Sequence, residues 1–318
     1  MAKEKFNKII DSFKDKKLIV LGDLMLDSYI YGEVERVSPE APVPVVLVKK
    51  EFLMPGGSGN VAANIIDLNG QPLILGLVGN DLAGRQLIEE MEKRNMDTRG
   101  VLVVKNRSTS QKIRVIAGTQ QIVRIDKETV DPINFQIKKK VIDLFSKSLK
   151  ETKAVIVSDY DKGFIISDLI KNIINLVKSA KKPLICDPKP NNALFFKGTT
   201  LLTPNQKEAF EIAGIKQVRE AGLFIQKRLN ANVLITQGAE GMTLFYGKKI
   251  KHFPAKAREV FDITGAGDTV TAVVALALAS GARLDEAVDI ANHAAGIVVG
   301  KKGTATVLRE ELKREFKI

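Results

Sequence analysis

The sequence predicts an α/β fold with a mostly parallel central sheet, covered by helices on both faces, and a small β-sheet lid. Three observations point there. Short runs that are apolar throughout, such as Lys17-Leu-Ile-Val-Leu-Gly22, alternate with stretches of helical spacing, the pattern of parallel strands buried on both sides. Two β-rich stretches, at about residues 28–52 and 99–126, break that alternation and are most simply a sheet standing off the main one. The 318 residues, 45% apolar and 27% charged, suffice for one large α/β domain with a buried core, and no Gly-, Ser- or Pro-rich linker divides them.

In chain order, residues 1–17 are polar and amphipathic, with Phe6, Ile9, Ile10 and Phe13 as the apolar positions, and the run at 17–22 is the first buried strand. Residues 29–34 and 43–50 are rich in β-formers. Between them Ser38-Pro-Glu-Ala-Pro-Val-Pro44 carries three prolines, which exclude a helix and favour an extended edge. Helices at 58–68 and 81–94 flank a strand at 73–78. Residues 101–104, 110–116 and 120–126 read as antiparallel strands, the last two joined at Ala117-Gly-Thr119. The alternation resumes with a helix at 135–149, a strand at 154–158, a helix at 168–180 and a strand at 183–187. A strand at 200–203, helices at 206–213 and 218–229, a strand at 232–236 and a hairpin over 242–253 follow. Helices at 266–280, 284–299 and 309–316 complete the reading.

Composition excludes several functions. Cys186 is the only cysteine, so neither a disulfide framework nor a cysteine zinc site is available. The first 17 residues lack the apolar core of a signal peptide, and no run of eighteen apolar residues exists, so a cytoplasmic protein is expected. The net charge of +12 allows nucleic acid, an anionic membrane or small anionic substrates as partners. The basic residues are scattered in mixed-sign runs, the longest like-charge run is Lys138-Lys-Lys140, and aromatics are 6%. A nucleic-acid binder concentrates its charge and interleaves aromatics. The excess therefore reads as mostly solvated surface, with neither nucleic acid nor membrane as partner.

The strongest chemical feature is Asp262-Ile-Thr-Gly-Ala-Gly-Asp268, opening into a helix of small residues. Two glycines let backbone N–H groups converge, and the helix N-terminus adds partial positive charge, so the loop forms an anion cradle. Asp268 would repel a phosphate there unless it takes a proton from an attacking hydroxyl, or unless it merely caps the helix. Pro55-Gly-Gly-Ser-Gly-Asn60 is a second Gly-rich turn before a helix. Neither a P-loop nor a Gly-x-Gly-x-x-Gly fingerprint is present.

These two segments, with Asn205-Gln-Lys-Glu208 between them, resemble in order and spacing the ribokinase (PfkB-type) family of carbohydrate kinases over essentially the whole chain. Gly22-Asp-Leu-Met-Leu-Asp27, Val37-Ser-Pro-Glu-Ala-Pro-Val-Pro44, Gly118-Thr-Gln-Gln-Ile-Val-Arg-Ile-Asp126 and Ser158-Asp-Tyr-Asp-Lys-Gly163 are similar, more narrowly, to members that phosphorylate D-glycero-D-manno-heptose 7-phosphate at O1, on the ADP-heptose route to bacterial lipopolysaccharide. Such members are often fused to a nucleotidyltransferase domain with a His-x-Gly-His motif. That motif does not occur here, so a single ribokinase-like domain over 1–318 is expected, with nucleotidyl transfer left to another protein.

The resemblance implies an ATP-dependent kinase in which Asp268 activates the sugar hydroxyl and Gly265, Ala266 and Gly267 stabilise charge on the transferred phosphoryl. It places Asp23, Asp27, Gly56, Gly57 and Asn60 at the sugar, the two aspartates having turn or cap chemistry as their plain alternative. Asn205 and Glu208 would organise Mg²⁺ and phosphate, Glu208 as the metal carboxylate, or form a helix capping box. Thr236, Gly238, Gly241, Thr264 and Asn292 would lie at the nucleotide, with a monovalent cation such as K⁺ near Asp262 and Thr264. For the substrate's own phosphate the candidate cations are Arg36, Lys112, Arg114, Arg124, Lys162 and Lys189, each with solvated edge charge as the alternative. Asp159 and Asp187, at strand ends, are candidate sugar contacts. A homodimer through the lid is expected of the family.

Overall fold

The computed structural model describes residues 2–257, 260–301, 303 and 305–316. Helix α1 (Ala2–Asp11) precedes β1 (Lys17–Gly22), β2 (Leu24–Val37) and β3 (Pro44–Gly57). Then come α2 (Ser58–Asp67), β4 (Gln71–Gly79), α3 (Leu82–Lys93) and β5 (Asp97–Val104). β6 (Ser110–Ala117) and β7 (Gln120–Lys127) form a hairpin whose two-residue turn needs the positive φ that Gly118 adopts, 61°. The chain continues through α4 (Phe135–Leu149), β8 (Ala154–Ser158), α5 (Ser167–Ser179), β9 (Leu184–Asp187), a 3₁₀ turn (Pro190–Phe196) and β10 (Leu201–Leu202). α6 (Gln206–Ala213), α7 (Val218–Leu229), β11 (Asn232–Thr236), β12 (Met242–Tyr246) and β13 (Lys249–Phe253) precede α8 (Ala266–Ala279), α9 (Leu284–Val298) and α10 (Arg309–Arg314).

Nine strands form the main sheet in the order β13-β12-β11-β10-β9-β8-β1-β4-β5, parallel from β11 to β5, with β12 and β13 antiparallel at one edge. Alternate side chains leave the strands on opposite faces, so the sheet separates two cores. Leu18, Val20, Ala154, Ile156 and Ile185 pack with α1, α2, α8 and α9. Ile19, Leu21, Val155, Val157 and Cys186 pack with α4, α5 and α7. Each such aliphatic side chain, fully buried, contributes about 1.5–3 kcal/mol. α8 is buried without interruption from Asp268 to Ala277, as befits a helix apolar all round.

A second sheet, ordered β3-β2-β6-β7, stands beside the strand ends as the expected lid. Three expectations change. The strand expected at 101–104 is part of β5 and runs parallel to β4 in the main sheet, so the lid's second contribution begins at Ser110 rather than near 99. β2 and β3 are each 14 residues long and pair from Leu24↔Gly57 to Val37↔Pro44, so Asp27 lies within a strand and not in a turn. For the same reason Pro55, Gly56 and Gly57 end a strand, and α2 begins directly after it.

Candidate active site

β1, β8 and β9 end side by side, Gly22 opposite Ser158 and Ser158 opposite Asp187. A Cβ at Gly22 would press into the Ser158 carbonyl, so only glycine lets the strands meet this closely. Into the cleft beyond these ends points the N-terminus of α8. Gly265 is its N-cap with φ 80°, and the N–H groups of Ala266, Gly267 and Asp268 belong to the first turn, where donors have no intrahelical acceptor. A Cβ on Gly267 would meet nothing within 4 Å, so this side of the loop is open.

Asp268 sits in that first turn, buried, and it does not cap the helix. Its Oδ2 accepts from Asn60 Nδ2 at 2.7 Å and its Oδ1 from the Tyr160 hydroxyl at 2.8 Å. Burial pushes its carboxyl up to about 6, against the lowering effect of those two donors. Asn60 is held because α2 and α8 pack together: Thr269 Oγ1 donates to Asn64 Oδ1 at 2.9 Å, and Asn64 Nδ2 donates to the Asn60 carbonyl at 3.0 Å. Thr203 and Thr271 join their hydroxyls at 3.1 Å and tie α8 to the end of β10.

On the lid side, Asp27 is buried in β2 and its Oδ1 meets Arg114 Nη1 at 2.6 Å, while the guanidinium stacks over Tyr29 at 5.1 Å. Gly56 lies against the Asp27 carboxylate, where a Cβ would collide with it. Gly57 has φ 60° and backs onto the Asp23 carbonyl. Lys112 and Lys189 approach the Tyr160 ring at 5.7 and 5.4 Å from its centre, one from the lid and one from the loop after β9. Burial lowers the Lys112 ammonium. Asp187 is half-buried at the end of β9, and desolvation together with Glu208, Asp268 and Asp159 nearby raises its carboxyl strongly.

Other expected residues are turned to structural work. Asp23 is buried, and its Oδ2 accepts the Tyr160 N–H at 2.8 Å and the Lys162 N–H at 3.4 Å. Asp159, fully buried, accepts the Asp161 and Lys189 N–H groups and the Asn192 amide, and burial raises it to about 6. Both aspartates thus anchor loops, because backbone donors at strand ends need acceptors where water is excluded. Lys162 pairs with Glu128 at 2.7 Å. Arg36 is exposed near the far end of β2, nine residues or about 30 Å of strand from Asp27, so it does not join the group. Arg124 shares a lid face with Arg114 but is exposed and bound to Asp126 at 3.0 Å.

On the opposite side, Asn205 and Glu208 do form the capping box: Asn205 N–H donates to Glu208 Oε2 at 2.9 Å, and Glu208 N–H to Asn205 Oδ1 at 2.9 Å. Glu208 Oε1 pairs with the Lys189 ammonium. Thr236 bridges Asn205, Gly238 is exposed with φ 59°, and Gly241 backs onto the Phe253 carbonyl. Thr264 N–H donates to Asp262 Oδ1 at 2.8 Å. Asn292 is buried and gives its amide to the Pro254 carbonyl at 2.8 Å, which makes it a strut. Among the described residues no three carboxylates, histidines or cysteines converge as a metal cage. Glu208 has both oxygens engaged, so a divalent cation fits here only through its waters. The excess of Asp187, Glu208 and Asp268 over the single Lys189 is charge that such a cation would offset.

Sequence reasoning missed Tyr160, Asn64, Arg107 and Asn192. The signal for Tyr160 was its place between two aspartates just beyond a strand, but its partner Asp268 is 108 residues away.

A parallel sheet with a helix N-terminus and a buried carboxylate at its strand ends, under a β lid, defines an α/β enzyme that acts on a small anionic or hydroxylated molecule. The chain belongs to the pfkB family of carbohydrate kinases, whose model matches residues 15–311, and so is a phosphotransferase acting on a sugar hydroxyl. It is 41% identical over 305 residues to the bifunctional protein HldE of Helicobacter pylori strain HPAG1, and 41% identical over 319 residues to that of Geobacter metallireducens. These alignments cover 93% and 98% of this chain, which spans 65% of the length of each relative. Ribokinase of Arabidopsis thaliana complexed with ribose and ATP superposes with a TM-score of 0.75 at 22% identity, over 96% of this chain and 99% of that one. Escherichia coli phosphofructokinase-2 in complex with potassium gives 0.76 at 19%, over 95% and 98%.

Proposed function

We propose that this chain is a cytoplasmic, ATP-dependent sugar-phosphate kinase that phosphorylates D-glycero-D-manno-heptose 7-phosphate at O1, giving the 1,7-bisphosphate used in ADP-heptose synthesis. The observation that carries the reading is the placement of Asp268: a buried carboxylate, gripped on both oxygens, beside the open N–H groups of the α8 first turn. In this reading the Asp268 carboxylate takes the proton of the sugar hydroxyl as the oxygen–γ-phosphorus bond forms and the bond to the β,γ-bridging oxygen breaks. The N–H groups of Gly265, Ala266 and Gly267 face the charge on the transferred phosphoryl, and losing one such donor typically costs about 10²–10³ in rate. Glu208 and Asp187 would hold Mg²⁺ through water, and the ion would supply charge neutralisation for the phosphates. A monovalent cation belongs at the Asp262–Thr264 turn.

Lys112 and Lys189 lie by the Tyr160 ring and Arg114 by Asp27, and an anionic sugar matches these cations. The similarity to HldE proteins supports the heptose, as does the resemblance of the four segments at 22–27, 37–44, 118–126 and 158–163. The lid also carries a partly exposed apolar stripe on its other face, with Ile113 opposite Ile125 and Val115 opposite Val123, which supports a homodimer formed through it.

An ADP-release assay with Mg²⁺, run over phosphorylated and unphosphorylated heptoses, hexoses and pentoses, tests the substrate, and a heptose 7-phosphate should give the highest kcat/KM. Asp268→Asn should abolish turnover of that substrate and leave ATP binding by calorimetry within a few-fold of the parent. Wild-type turnover in that variant ends the general-base reading, and a fructose or pentose preference ends the heptose assignment.

A further inference from the structure

Tyr160 stands at a crossing of the molecule that no assigned role explains. It follows the buried end of β8, and its loop is held from several sides. Asp23 accepts its N–H at 2.8 Å, Asp159 accepts the N–H of Asp161 at 2.8 Å, and Arg107 binds the Lys162 carbonyl while its other donors hold the Thr129 and Asp131 carbonyls. Gly163, with φ 80°, lies so close to the Val130 and Asp131 carbonyls that a Cβ would not fit. The loop is therefore fixed by interactions that do not involve Asp268, and from it the Tyr160 hydroxyl reaches to 2.8 Å from Asp268 Oδ1.

That hydrogen bond is the counterpart of the one from Asn60 to Oδ2. A carboxylate is planar, and one donor leaves it free to rotate about Cβ–Cγ, whereas two donors on opposite oxygens set both its position and its plane. Asn60 arrives from α2 and Tyr160 from the loop after β8, so the orientation of Asp268 depends on two separate elements.

We propose that Tyr160 is a positioning residue for phosphoryl transfer: its hydroxyl orients the Asp268 carboxylate toward the sugar hydroxyl and favours its ionised form. The proposal rests on Asp268 being the base. The groups facing Asp268 are Asn60 from α2, Asp27 from β2, Tyr160 itself, and Asp187 and Lys189 from the end of β9. Asp27 and Asp187 disfavour the ionised form, and Lys189 and the two donors favour it. Removing the hydroxyl therefore makes Asp268 a weaker acid, and a wild-type ring left in place keeps the packing and the contacts with Lys112 and Lys189.

The test needs no substrate at its first stage. The carboxyl carbon of Asp268 is followed by ¹³C NMR in aspartate-labelled protein, its resonance assigned by its loss in Asp268→Asn. In Tyr160→Phe the titration midpoint should rise by about half a pH unit or more. Replacing the four tyrosines by 3-fluorotyrosine, a more acidic phenol and stronger donor, should lower it. With heptose 7-phosphate, or the best sugar of the screen, Tyr160→Phe should lose roughly ten- to a hundredfold in kcat with KM changed less than about threefold. The acid limb of its kcat/KM profile should move up with the NMR midpoint. A midpoint and limb that stay at the wild-type position in Tyr160→Phe overturn the proposal, as does a fluorotyrosine shift in the upward direction. Turnover retained by Asp268→Asn overturns instead the reading of the base, so the two failures are distinct.

Discussion

Asp268 and Asp159 carry carboxyls pushed up to about 6 by burial, and the same shift acts in opposite directions on activity and stability. A base must be ionised, so kcat/KM should climb with pH through about 6 and level off above it. For stability, a carboxyl raised above its ordinary value near 3.8 binds more protons folded than unfolded, so its contribution is full at low pH and is lost as pH rises through the window from about 4 to 6. Asp159→Asn, which cannot ionise, should therefore flatten the fall of melting temperature across that window in a calorimetric pH series. An unchanged slope would show that Asp159 titrates normally. At this scale the place of Asp268 at a helix N-terminus was legible in the Gly-rich loop before it, whereas Asn60, read as a sugar contact, is found donating to Asp268 Oδ2. For Asp23 the sequence left two roles open, sugar contact and turn chemistry, and the structure shows its Oδ2 accepting the backbone N–H groups of Tyr160 and Lys162, partners that spacing could not name.

The elements follow from patterns that are local, and their exceptions from pairing that is not. Apolar runs at 17–22 and 154–158 became β1 and β8 because strands buried on both faces leave no room for polar alternation. The meeting of those strands at Gly22 is testable: Gly22→Ala should destabilise the chain by about 1–3 kcal/mol or more, since the added methyl faces backbone that cannot yield. Urea denaturation measures this, and a midpoint equal to that of the parent would mean that the strand ends are loosely packed. The stretch at 101–104 looked like its lid neighbours because strand composition does not encode which sheet a strand joins. It lies in the main sheet through its register with β4, Leu75 opposite Gly100, where a Cβ on Gly100 would strike the Ile74 carbonyl. β2 and β3 are longer than their β-rich cores because each continues from the lid into the cleft, carrying Asp27 and Gly56 to the site.

For the whole molecule, the charge of +12 includes cations that belong to the site. Lys112, Arg114, Lys162 and Lys189 gather around the cleft, each beside carboxylates or aromatic rings. No helix among the described residues is long and apolar enough to cross a membrane. The lid's outer stripe of Ile113, Val115, Val123 and Ile125 sets the expectation for assembly. Sedimentation velocity at micromolar concentration should show a dimer for the parent chain and a monomer for Ile125→Lys with unchanged circular dichroism. A parent chain that sediments as a monomer removes the lid interface. By itself the sequence determined the α/β class and the family, because alternating apolar runs and short motifs in a fixed order can be read without knowing what packs on what; Asn205 and Glu208 it left between a capping box and a phosphate and metal role. Only the tertiary structure decided which strands share a sheet, that Arg36 and Arg124 stand apart from the cleft, and that Tyr160 and Asn60 grip opposite oxygens of Asp268. Those facts join residues dozens to hundreds of positions apart, and distance along a chain carries no record of which of its carboxylates, donors and cations the packed sheet will bring within 3 Å.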